Sequence, residues 1–171
     1  IVNAHDADII IRSSDNVDFY VHKKNLEFST GSFPPADLTS SNPNEVVVLS
    51  ESAATLEIMF QFVYPKRYPA LDKLNFEALM MLAEAAEKYE VFALINSCDF
   101  YLKKFLNQHS LTILDFAARH DYRSTVEELA TILIDTSMTD LTDLPSTIFK
   151  PWVCWITECY YLILKLKSNF T

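Results

Sequence analysis

The stretch Asp8-Ile9-Ile10-Ile11-Arg12-Ser13-Ser14-Asp15-Asn16-Val17-Asp18-Phe19-Tyr20-Val21-His22-Lys23-Lys24-Asn25-Leu26-Glu27-Phe28 decides the fold. Ile9, Ile10 and Ile11 form a β-branched run, so Asp8 to Arg12 reads as a short strand and Val17 to Val21 as a second. Ser13-Ser14-Asp15-Asn16 is the polar turn between them, which makes the opening a β-hairpin. The period then changes. His22 to Phe28 carries apolar residues on a short helical face, and Ser29-Thr30-Gly31 reads as its stop.

Downstream, Phe33 to Asn44 is rich in Pro, Ser, Thr and Asn and reads as a loop. Glu45 to Leu49 contains three consecutive valines and reads as a buried strand. Ser50 is a good N-cap for the following helix, with Ser52 as the alternative. Leu56, Met59, Phe60 and Val63 recur at helical spacing until Pro65 stops them, and Pro65 to Pro69 is a rigid turn. Asn75 starts a further helix with a wide apolar stripe through Phe76, Leu79, Met80, Leu82, Ala83 and Ala86. Val91 to Leu106 continues the pattern through Leu94, Cys98, Tyr101, Leu102 and Phe105, so the pair is expected to form an antiparallel hairpin.

Two shorter helices are expected at Leu111 to Arg119 and Arg123 to Ile134, separated by His120-Asp121-Tyr122. Ser137 to Ser146 reads as a linker or turn. From Pro151 to Phe170 the residues Trp152, Trp155, Cys159, Leu162, Leu166 and Phe170 line one helical face. Thr157, Glu158, Lys165 and Lys167 interrupt this run, which is too short for a membrane span. Packing against its own domain or a partner is the reading it supports. Together these elements predict an α+β fold, a small mixed sheet packed against a helical bundle and followed by additional helices.

Composition narrows the function. With 171 residues there is room for one domain and a small appendage. A formal net charge of −9 disfavours nucleic-acid and membrane-surface partners, which call for a broad basic face. The 50% hydrophobic fraction suffices to build a core. Gly31 is the sole glycine, so the chain has no Gly-rich phosphate loop, no G-x-G-x-x-G fingerprint and no G-x-S-x-G elbow. Three cysteines, Cys98, Cys154 and Cys159, fit free thiols in a reducing compartment, cytoplasm or nucleus, better than a disulfide framework. Ile1 opens directly into a charged, strand-like stretch in which no signal peptide is visible, although a trimmed start would hide one.

Candidate chemistry is thin. His5, Asp6 and Asp8 cluster near the start, but no rigid loop fixes them as metal ligands, and a turn or interface role is more economical. His22 lies at a strand-to-helix junction; the expected role is a partly buried ring bonded to nearby backbone, tying the hairpin to the first helix. His120 and Asp121 are adjacent, a poor arrangement for a catalytic dyad. Glu84, Glu87, Glu90, Glu127 and Glu128 read as solvated helical faces. No catalytic residue, cofactor or metal is assigned.

The ordered set Asp8-Ile9-Ile10-Ile11, Phe19-Tyr20-Val21-His22-Lys23 with Leu26, Val47-Val48-Leu49-Ser50 running into Leu56 and Phe60, Phe62-Val63-Tyr64, and Leu82-Ala83-Glu84-Ala85-Ala86-Glu87-Lys88-Tyr89 leading to Leu94 and Cys98 resembles a BTB/POZ domain, in particular the fungal single-domain type. The resemblance implies a BTB/POZ-like domain over residues 1–106 and a helical extension with an aromatic-rich C-terminal helix over residues 107–171. It also implies a non-enzymatic protein–protein interaction and oligomerisation module, acting as a homodimer or with a hetero-partner. A substrate adaptor or scaffold of a cullin-type ubiquitin ligase is the alternative. On that analogy Asp8, His22 and Leu26 support the fold near its self-association face, and Trp152 and Trp155 offer a second contact surface. The chain departs from the family at Gly31-Ser32-Phe33-Pro34-Pro35, where members carry a second small helix that contributes to the homodimer surface.

Overall fold

Three consecutive isoleucines place β1 (Ile9–Arg12) at the centre of a three-stranded sheet of order β2-β1-β3. In this computed structural model residues 6–36 and 46–133 are described. Strand β2 (Asp18–Val21) pairs antiparallel with β1, with Ile11 opposite Phe19 and Arg12 opposite Asp18. The alternation of a strand then sorts the side chains: Ile11 and Phe19 are buried, while Tyr20 on the other face is exposed. Strand β3 (Val46–Val48) lies parallel on the far side of β1 from Ile10↔Val46 to Arg12↔Val48, so the sheet is mixed, as expected.

The hairpin turn is closed by Ser13 and Asn16. Ser13 N donates to Val17 O at 3.0 Å and Asn16 N to Ser13 O at 3.0 Å, with Asn16 at φ 63°, a left-handed conformation that asparagine tolerates. The same turn docks on helix α2 (Ala53–Gln61): Ser14 N donates to Glu51 O, and Ala53 N donates to Asp15 Oδ1 at 2.7 Å. Ser52 is the N-cap of α2, its hydroxyl accepting from Thr55 N, which settles the choice between Ser50 and Ser52.

Helix α1 (Lys23–Ser29) stops at Thr30, which is extended at φ −138° and donates from both N–H and Oγ1 to Leu26 O. The expected glycine stop works by another route. Gly31 has no positive φ; its N–H donates to Glu90 O at 3.1 Å, and a Cβ there would displace the Glu90 carboxylate. Gly31 to Pro35 carry no helix, and Phe33 stacks on Tyr89 with ring centroids 5.4 Å apart.

Helix α3 (Phe76–Lys88) is capped by Asn75, whose Oδ1 accepts from Ala78 N at 2.9 Å, and α4 (Phe92–Leu102) follows and packs against it. The turn between them is a Schellman closure, with Val91 N donating to Ala86 O at 2.9 Å and Glu90 left-handed at φ 51°. The core under the sheet is made by Ile11, Phe19 and Val21 with Leu56, Met59, Phe60, Leu79, Leu82, Leu94 and Cys98, all buried. Phe19 and Phe60 meet as tilted rings 5.4 Å apart. Helix α4 ends at Leu102, earlier than the sequence pattern suggests, and tightens into a 3-10 turn over Lys103–Phe105.

The described residues fall into two units divided between Leu102 and Lys103. In the second unit α5 (Ser110–Arg119) and α6 (Arg123–Leu133) form a helical hairpin, burying Ile113, Leu114, Phe116 and Ala117 on one helix and Leu129, Ala130 and Leu133 on the other. Asp121, left-handed at φ 59°, and the bond from Tyr122 N to Ala117 O at 2.8 Å close α5. The loop before β3, the linker at Ser137 to Ser146 and the tail with Trp152 and Trp155 lie outside the described residues.

Candidate interaction surface

Asp8, His22 and Leu26 meet where the hairpin feeds α1. His22 is the N-cap residue of α1, yet its side chain makes no capping bond. That function falls to Asp8, whose Oδ1 accepts from Lys23 N at 2.7 Å across the strand pair. The His22 ring bridges outward instead: Nδ1 lies 3.1 Å from the Tyr64 hydroxyl and Nε2 3.0 Å from Asp6 Oδ1. The ring thus ties the hairpin to the end of α2 through side chains rather than through the backbone partners expected from the sequence. Tyr64 is pushed above the usual phenol range, mainly by burial.

Leu26 points inward and is buried. Phe28 is two residues further on, a rotation of about 200° on a helix, and is 78% exposed. The same short helix therefore anchors itself with one apolar side chain and presents another to solvent. Apolar patterning alone puts both on one face; the two-residue separation is the signal that divides them. Other large apolar side chains at the surface include Val48 on β3, Met81 on α3, and Phe92 and Phe100 on α4.

A polar cluster fastens the junction of β3 and α2 to the end of α3. Glu51 Oε1 accepts from Lys88 Nζ at 2.7 Å and Oε2 from Tyr89 Oη at 2.5 Å, while Ser50 Oγ lies 2.7 Å from Lys88 Nζ. Burial pushes the Glu51 carboxyl up, but these hydrogen bonds outweigh it and hold the group below the usual carboxylate range. Cys98 is buried, and loss of water raises its thiol to about 12, so it is a packed side chain rather than a nucleophile. The His120 ring packs on Phe116 with centroids 4.8 Å apart, and Asp121 Oδ1 accepts from Arg123 Nε at 3.1 Å.

Among the described residues no group of three or more His, Cys, Asp or Glu side chains is placed to hold a metal ion. None of the described helices is long and apolar enough to cross a membrane. The architecture is a mixed three-stranded sheet with helices packed against it, some of which carry exposed apolar side chains. The sequence matches the model of the BTB/POZ domain family over residues 3–106, more than half of the chain, and the protein belongs to that family of non-enzymatic protein–protein interaction domains. No curated protein matches it.

Proposed function

We propose that this chain is a self-associating interaction module whose dimer contact is built on α1. The observation that carries the reading is Phe28, 78% exposed on a helix pinned from behind by Leu26 and capped by Asp8. A large aromatic on a fixed helix loses little conformational freedom on docking and gains the most from desolvation. Two-fold pairing would place each Phe28 against the partner's equivalent surface, as an isologous contact requires. In the family this region contributes to homodimerisation, which agrees with the location.

Asp8, His22 and Leu26 serve this surface indirectly, by holding α1 in place. Residues 107–171 form an extension to the domain, in which Trp152 and Trp155 are a second candidate contact. Co-expression of two differently tagged copies tests the reading. Capture of one copy by the other should be strong for the wild type and lost for Phe28→Glu with unchanged circular dichroism. Equal capture by the variant would remove α1 from the interface. Capture of a cullin instead of a second copy would favour the adaptor function.

A further inference from the structure

We draw no further inference here: the strongest candidate, the surface patch on α4 made by the exposed side chains of Phe92 and Phe100, carries nothing because nothing in the structure shows what covers it.

Discussion

The Asp8 carboxylate on the rim of β1 accepts a hydrogen bond at 2.7 Å from the backbone N–H of Lys23, the first residue of α1. The residue just before a strand thus caps a helix whose own N-cap side chain is turned away to Tyr64 and Asp6. Helix α1 has seven residues, too few to be stable alone, so its position depends on this cap and on Leu26 beneath it. If α1 carries the dimer contact, fold stability and self-association are coupled through these two residues.

Replacing Asp8 by alanine removes the cap and should lower stability by about 1 kcal/mol. The Asp8→Asn variant keeps an acceptor oxygen and should retain most of that stability. Urea unfolding of Asp8→Ala and Asp8→Asn against the wild type measures both; equal losses would show that the acceptor is not what matters.

Leu26→Ala opens a cavity under α1 and should cost about 2–5 kcal/mol. Because the helix carries Phe28, the loss should also weaken self-association at temperatures where the domain is still folded. Calorimetry and molar mass on the same samples separate the two effects.

Acid should destabilise the first unit through Glu51. Its folded-state pKa lies below the ordinary 4.5, so the stabilisation is present above the unfolded value and is lost as pH falls through the folded one. Asp18, held down by its hydrogen bond from Arg12, and Asp15, held down by Ser13 and the Ala53 N–H, act in the same direction. Unfolding free energy should therefore drop from about pH 5 downward, and Glu51→Gln should flatten part of the slope while lowering stability at neutral pH.

Cys98 should resist alkylation in the native protein, since its thiol is buried and raised to about 12. Peptide mapping after iodoacetamide should find the Cys98 peptide unmodified at neutral pH and fully modified in denaturant. Rapid native labelling would show that the α3 and α4 packing opens readily.

Much of this fold is legible in the sequence because its signals are local. The isoleucine run, the valine run, Asn75 ahead of a long apolar stripe and Pro65 after Val63 each mark an element within a few residues. What escapes a sequence reading depends on contacts distant in the chain. Gly31 stands where a left-handed stop is expected, but its requirement comes from Glu90 across the fold. Local pattern puts His22 against nearby backbone, whereas its Tyr64 partner lies at the far end of α2. The choice of Ser52 over Ser50 turns on which hydroxyl reaches Thr55 N, while Ser50 is drawn to Lys88. The exposure of Phe28 follows once Leu26 is known to point inward, a fact that periodicity over a seven-residue helix does not fix.

The most direct measurement is light scattering coupled to size exclusion over a wide range of concentration, on the wild type, Phe28→Glu and a chain ending at Ser137. The expected result is twice the 19.6 kDa chain mass for the wild type, a dimer that survives truncation, and a monomer for Phe28→Glu. A wild type that stays at the mass of one chain at every concentration would contradict it. So would a dimer indifferent to Phe28 and lost only with the tail.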